Sequence, residues 1–383
     1  VFGDDWGRHV STLQHLFGRI SRETTVIWFN SLGQRKPGIR DLGRAWQKAR
    51  AMTMLRGRNS HPSAPQPGVA PPQFIVEPRV LPWHDNRVVS SLNRMSLKRD
   101  VAATVRRARV REFVLVTGNP VSAGLVGECG ERASIYFCMD DFLLLPGTSP
   151  EMIAPLEQDL LRRVDAVVAT AQLLVEKKVP SSGISYHLPQ GVNYQHFAEA
   201  RPAPAELQQL PRPIVGFAGG VGPAVDTGTL HALSRAIPTA SIVLIGPVSL
   251  PRESLRARNI HVMGPRAYQD LPAYVQAFDV GIIPYVDNEW TRTVDSLKLL
   301  EYLAAGIPVV ATPLPEMHKY ADAISLAAPG DPFVRAVTAN LQGTGSARGA
   351  MARAYASRHS WERRAERFLE IVDQVMRRSA GKS

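Results

Sequence analysis

The sequence predicts an α/β protein made of two similar units, each a parallel sheet covered by helices on both faces. Three observations carry this. Short, continuous apolar runs alternate with helical stretches, the rhythm of strands buried on both sides. That rhythm runs twice, interrupted by a Pro-rich stretch at about residues 192–212. The 383 residues are also too many for one ordinary core and enough for two.

In the first unit, residues 1–192, "STLQHLFGRISR" reads as a helix and "TTVIWFNSLG" as a buried strand running into a loop. "RGRNSHPSAPQPGVAPPQ" has little to bury, so residues 57–73 are expected to form a mobile Pro-rich loop. The strands "EFVLVTGNP", "ASIYFCMDDF" and "AVVATA" follow, with "MIAPLEQDLLRRV" as a helix between them. After the Pro-rich linker the second unit, residues 213–358, repeats the grammar. "PIVGFAGG" is strand then glycine turn, "TLHALSRAIP" helix, "SIVLIGP" strand, "LPAYVQAF" helix, "VGIIPY" strand, "SLKLLEYLAAG" helix and "PVVAT" strand. The last segment, 359–383, is an amphipathic helix with Ser360 as its N-cap and Glu362 in its first turn. Open parallel sheets bind ligands at the carboxyl ends of their strands, so two such units facing across a cleft can hold two ligands.

Composition narrows the class. With 44% hydrophobic and 21% charged residues the chain reads as a soluble globular protein. Its apolar runs fall short of the roughly 20 residues of a membrane span. The start "VFGDDWGRHV" has neither a basic n-region nor an apolar h-region, so no export signal is expected, and two cysteines are too few for a disulfide framework or a structural zinc site. A cytoplasmic protein is expected. The net charge of +11 is concentrated in residues 1–111, which hold 20 Lys and Arg against 7 Asp and Glu. Within residues 34–58, Leu42, Ala45, Trp46, Ala49 and Met52 share a helical face flanked by Arg44, Lys48 and Arg50. Such a helix suits either an anionic membrane surface or plain solvent. No zinc-finger, RNP-like or helix-turn-helix pattern accompanies the charge, which argues against nucleic acid.

The second unit contains charges that a folded core does not explain. In "DSLKLLEYLAAGIPVVATPLPE", Lys298 and Glu301 interrupt what otherwise reads as buried helix, turn and buried strand. Asp295 and Ser296 begin that helix, where unpaired N–H groups and the helix dipole favour an anion; either also serves as an ordinary N-cap. Arg292 and Lys298 bring positive charge to the same end, which suits a phosphate. Glu301 is placed to accept hydrogen bonds from the vicinal hydroxyls of a ribose, and a surface ion pair with Lys298 fits the same spacing. Gly219, Gly220 and Gly222 either let backbone N–H groups approach an anion or make a plain tight turn. In the first unit, Asp5, Arg8 and His9 lie in the first loop, while Asn119 and the pair Asp140 and Asp141 stand at strand ends. One of two such acids can deprotonate a hydroxyl if its pKa is raised, and adjacent strand residues point to opposite faces.

The ordered segments "GFAGGVGPAVDTGTLHAL", "VLIGPV", "LPAYVQAFDVGIIPY" and "TRTVDSLKLLEYLAAGIPVVATPLPE" resemble the nucleotide-sugar-binding half of a GT-B glycosyltransferase of the family 4 type, in its bacterial polysaccharide, teichuronic-acid-type branch. "YFCMDDFLLLPG", "LPQGVNYQHF" and "DDWGRHVSTLQHLFGRI" extend the likeness into the first unit, and "SWERRAERFLEIV" resembles the helix that crosses back to it. The resemblance covers roughly residues 110–375 and is least over residues 34–100.

That resemblance implies roles. Glu301 matches the family's second motif glutamate, which holds the donor ribose, and Ser296, Leu297 and Lys298 line the helix end that receives the diphosphate. Thr293 replaces the first motif glutamate, with Asp295 as a neighbouring substitute. The Arg and Lys that many relatives carry in the glycine turn are missing from "GGVGPAVD", so charge is expected from Arg292, Lys298 and Arg8. Gly246 and Pro247, with Arg266 or Tyr268, are expected at the base, and Pro284 and Tyr285 at the sugar-pocket wall. His9, Asp5, Arg8 and Asn119 are expected on the acceptor or phosphate side, with Asp140 or Asp141 acting on the acceptor. The implied activity is a metal-independent hexosyl transfer from a UDP-, GDP- or dTDP-sugar, with retention and no cofactor, to a polysaccharide, lipid-linked or natural-product acceptor. A UDP-sugar 2-epimerase-like isomerase and a non-catalytic nucleotide-sugar-binding subunit share the architecture and stand as alternatives.

Overall fold

Alternate residues of the same strands face opposite cores in the first unit, and this period of two builds it. The computed structural model describes residues 1–8, 10–33, 69–81, 86–343 and 346–381. His9, the basic segment 34–58 and residues 57–68 of the Pro-rich loop lie outside the described residues. The chain divides into one unit of residues 1–189 with 365–383 and a second of residues 190–364.

The first unit contains α1 (Thr12–Ile20), β1 (Ile27–Phe29), β2 (Phe74–Val76), α2 (Arg87–Arg107), β3 (Val114–Thr117), β4 (Ala133–Cys138), α3 (Pro150–Arg163), β5 (Ala166–Ala169), α4 (Gln172–Lys177) and β6 (Ser185–His187). Strands β3, β4, β5 and β6 pair in that order and β1 pairs with β2, all parallel. Residues 1–3 join the two sets, because Phe2 bridges both Phe29 and Thr117. Leu115, Tyr136, Cys138, Val167 and Ala169 face one core. Val116, Ile135, Phe137, Ala166 and Val168 face the other, with Leu13, Leu16 and Phe17 of α1 and Phe368, Ile371 and Val375 of the last helix. The described end of the Pro-rich loop is packed rather than mobile. Val69 is buried and sits where a Cβ on Gly18 would meet its Cγ1 at 2.5 Å, so the end of the excursion packs on α1.

The second unit contains α5 (Tyr194–Ala198), α6 (Ala205–Gln208), β7 (Ile214–Ala218), α7 (Thr227–Ala236), β8 (Ser241–Ile245), β9 (Ile260–Gly264), α8 (Leu271–Gln276), β10 (Val280–Ile283), α9 (Leu297–Ala305), β11 (Val309–Ala311), β12 (Ser325–Leu326), α10 (Asp331–Gln342), α11 (Ser346–Ser357) and the start of α12 (Trp361–Ala380). Its parallel sheet has the order β12-β11-β10-β7-β8-β9. The order reverses between β7 and β10, the switch point at which doubly wound sheets bind ligands beyond the strands' carboxyl ends.

The stretch expected as a linker is folded instead. Phe197 of α5 and Leu207 of α6 are fully buried in the second unit's core, so prolines here shape short helices rather than free chain. The boundaries shift accordingly, to 189/190 and 364/365. Helix α12 begins in the second unit and its residues from Ala365 belong to the first. Its start is as expected, with the Arg363 N–H donating to Ser360 Oγ at 3.4 Å. Among the described residues no helix is long and apolar enough to cross a membrane.

Candidate functional site

The switch point of the second unit places the glycine turn after β7, Pro284 and Tyr285 after β10, and the amino end of α9 at one edge of the sheet. Leu299, Leu300, Tyr302 and Leu303 of α9 are all fully buried, and each such leucine contributes about 1.5–3 kcal/mol when removed from water. This apolar face fixes which residues look outward: Lys298 and Glu301 remain half-buried on the other side. Gly306 ends the helix in a left-handed conformation at φ 77°, with its N–H and that of Ile307 bonded back to the last turn. The helix is registered against β7, since the Ala218 N–H donates to Tyr302 Oη at 2.6 Å.

Two turns meet beside it. A Cβ on Gly246 would lie 2.0 Å from the Gly219 carbonyl oxygen, and a Cβ on Gly219 would meet Lys298 Cε at 2.4 Å. Only glycines permit this approach, and Lys298 fills the room they leave. Its Nζ donates to Tyr285 Oη at 2.5 Å and stands 5.3 Å from the ring centroid of Phe217, within cation–π range. Gly220 faces open space, Gly222 lies near Ser249, and the Pro247 carbonyl accepts from the Val221 N–H at 2.9 Å.

Ser296 occupies the N-cap position of α9, yet its side chain makes no capping bond. Its Oγ is buried and has no hydrogen-bond partner among the described residues, an uncommon condition for a hydroxyl beside free helix N–H groups. No hydrogen bond or ion pair engages the Glu301 carboxylate among the described residues. Burial pushes its pKa from 4.5 up to about 7, with Lys298 pulling the other way. The ion pair of Lys298 with Glu301, the alternative reading of their spacing, is not formed; the ammonium turns to Tyr285 instead. An orphan hydroxyl, a lysine over a glycine turn and an unbonded carboxylate thus lie along one helix end, and together they can receive an anion next to a diol.

Other expected residues are engaged elsewhere. Asp295 is fully buried: its Oδ2 accepts from the Gln190 N–H at 2.9 Å, and its Oδ1 lies 2.9 Å from Lys319 Nζ and 3.2 Å from Tyr320 Oη. It cannot replace the missing first glutamate. Thr293 is buried, with Oγ1 donating to the Trp290 carbonyl at 2.7 Å. Arg292 is an exposed partner of Asp287 at 2.6 Å. Arg266 is bound to Glu206 at 2.9 Å and donates to Tyr274 Oη at 2.8 Å, so its donors are already engaged within the protein. Tyr268 stacks on His196, with centroids 4.9 Å apart.

In the first unit, Asp141 is buried and paired with Lys178 at 2.9 Å, whose Nζ also lies 2.7 Å from Glu157. That pairing makes Asp141 part of an internal network rather than a free base. Asp140 is half-buried and accepts the Cys138 thiol on its carbonyl at 3.3 Å. Asn119 caps the following turn by accepting from the Val121 N–H at 3.0 Å. Asp5 accepts from the Ser31 N–H at 3.2 Å, and exposed Arg8 lies 3.6 Å from it. Sequence reasoning missed Phe217, hidden in the buried run of β7, and Lys319, which shares Asp295 with Gln190.

Residues 212–342 match the family model described as Glycosyl transferases group 1. Over 181 residues the chain is 32% identical to the teichuronic acid biosynthesis glycosyltransferase TuaH of Bacillus subtilis (strain 168), a stretch covering 44% of this chain and 45% of that protein; the match thus spans about half of the relative. The crystal structure of Anabaena Alr3699/HepE in complex with UDP and glucose superposes with a TM-score of 0.66 at 14% identity, over 97% of this chain and 98% of that one. WaaG, a glycosyltransferase involved in lipopolysaccharide biosynthesis, gives a TM-score of 0.60 at 15% identity, over 97% and 98%. The chain therefore has the GT-B fold, and residues 212–342 of its second unit match the glycosyl transferases group 1 model.

Proposed function

We propose that the protein is a glycosyltransferase that takes a sugar from a nucleoside diphosphate sugar, a UDP-sugar first among the candidates, and delivers it to a cell-surface polysaccharide, lipid-linked or natural-product acceptor. The observation that carries this reading is Ser296: a buried, unpartnered hydroxyl at the amino end of the nine-residue helix α9. The HepE structures with UDP and with UDP-glucose and the name of the TuaH relative support the same class of donor and product.

In this reading the diphosphate lies against the first N–H groups of α9, with Ser296 Oγ donating to one oxygen and Lys298 Nζ to another. Glu301 accepts from the ribose hydroxyls. Breaking the bond from the anomeric carbon to the diphosphate sends the electron pair onto the departing oxygen, and these preplaced donors stabilise that charge; losing one such donor costs about 10²- to 10³-fold in rate. The acceptor oxygen forms the new bond on the face the diphosphate leaves, with retention, and its proton passes to the departing phosphate. The protein's own cations serve the charge without a metal.

We place the reaction at the inner face of a membrane. On α2 the exposed Val88, Leu92 and Met95 follow one another at four and three residues, with exposed Arg94 among them and exposed Arg99 and Arg106 farther along the helix, a surface suited to anionic lipid. The basic segment 34–58 adds the same charge.

The test is a screen of nucleotide sugars for binding and slow hydrolysis. Glu301→Ala is expected to weaken nucleotide binding about 10- to 100-fold, and Lys298→Ala to lower turnover more than affinity. Unchanged nucleotide affinity in the Glu301 variant removes the ribose assignment.

A further inference from the structure

Lys298 is held by a device that lies outside its own helix. We propose that Tyr285, with Phe217 behind it, is a positioning residue that aims the Lys298 ammonium at the β-phosphate of the bound nucleoside diphosphate. This rests on the donor reading above and adds to it the group that makes the site distinguish a diphosphate from a monophosphate.

A lysine carries three donors on a long, freely turning stem, and as a point charge it has no preferred direction of its own. Here that freedom is removed from three sides. Tyr285 Oη accepts one N–H at 2.5 Å. The Phe217 ring centroid lies 5.3 Å from Nζ, and Gly219 leaves the stem room that an alanine Cβ would take. Tyr285 is itself fixed: its side chain is buried, and its N–H bonds the Ile283 carbonyl at 3.0 Å. The other two Nζ donors are left for an anion arriving at the amino end of α9. No carboxylate forms an ion pair with Lys298 among the described residues, whereas Arg292 and Arg266 have Asp287 and Glu206. A neutral hydroxyl holds the ammonium without neutralising it, so the full charge stays available to the ligand. The chain thereby supplies from α9 and β10 the cation that its glycine turn lacks.

The experiment titrates the full chain with UDP and with UMP, which lacks the β-phosphate, for wild type, Tyr285→Phe, Lys298→Met and the double variant. Tyr285→Phe keeps the ring and removes the hydroxyl, and a thermal melt of each variant checks folding. UDP is expected to bind Tyr285→Phe about 3- to 10-fold more weakly, in line with one hydrogen bond, with UMP unchanged. In the Lys298→Met background the same change is expected to add nothing. Equal losses for UDP and UMP, an unaltered UDP affinity in a folded Tyr285→Phe protein, or a full Tyr285 effect without Lys298 would each overturn the positioning role while leaving the donor site standing. A wild-type protein that binds no nucleoside diphosphate overturns the donor reading, and this proposal with it.

Discussion

The backbone N–H of Gln190 donates to the carboxylate of Asp295 at 2.9 Å across 105 positions of sequence. The Gln190 carbonyl accepts from Arg364 Nε at 3.0 Å, so this residue is held through both of its backbone polar groups. Asp295 immediately precedes the orphan hydroxyl of Ser296, and its bonds to Gln190, Lys319 and Tyr320 set where α9 begins. It is a structural carboxylate beside the site, not a member of it.

Asp295→Ala should therefore destabilise the fold. The Gln190 N–H would be buried without an acceptor and Lys319 would lose one of its two carboxylates, a cost of about 2–4 kcal/mol. Urea unfolding reads it. A loss below 0.5 kcal/mol, about the level of a typical surface substitution, would show that water or Glu316 replaces the carboxylate.

Glu301 predicts opposite pH trends for folding and binding. Its folded-state pKa is pushed from 4.5 to about 7 by burial, Lys298 opposing. Between these values the folded chain keeps a proton that the unfolded chain has lost, so this group's contribution to stability falls as pH rises through the window. Ribose hydroxyls bond the ionised form, so uridine affinity should climb between pH 6 and about 8. Glu301→Gln should flatten both trends; an identical pH slope in that variant would assign the titration to another group.

Lys178 lies between two buried carboxylates. Burial alone would lower its pKa, but Glu157 and Asp141 more than offset this and raise it. Lys178→Met would strand both acids and should cost about 3–5 kcal/mol. Near wild-type denaturant midpoints would mean that the acids take up protons at little expense.

Arg266→Ala should leave UDP affinity within about twofold, because its guanidinium is occupied by Glu206 and Tyr274 and the change removes a partly exposed pair of small net value. A tenfold loss in titration would return this arginine to the base site.

Sedimentation with anionic vesicles should exceed that with neutral ones and fade as salt is raised. Replacing Val88, Leu92 and Met95 with Ser should weaken it. Equal recovery with neutral lipid, or no change in the variant, would count against the α2 surface.

The alternation of apolar strand and helix was enough to read the central strands of both sheets and the helices that separate most of them, because burial on two faces is written into β4, β5, β7, β8, β10 and β11, whereas the half-buried β2, β6 and β12 carry no such run. Helix α2 escaped notice because its apolar residues lie on more than one face, inward at Leu97 and Val101 and outward at Val88 and Leu92. The short helices α5 and α6 were hidden by prolines that also read as linker. The anion-binding potential at Ser296 and Lys298 was legible from local spacing, since a helix start needs only adjacent residues to show itself.

By itself, then, the sequence determined the two doubly wound units, the helix that carries Lys298 and Glu301, and the glycines that let turns and side chains crowd its start. Only the tertiary structure decided which charges are free to meet a ligand. Asp295, Arg266 and Asp141 looked equally available along the chain, but each finds its partner 105, 60 or 37 residues away. Hydrogen bonds and ion pairs depend on distance in space, and no local pattern records which remote group folding will bring within 3 Å.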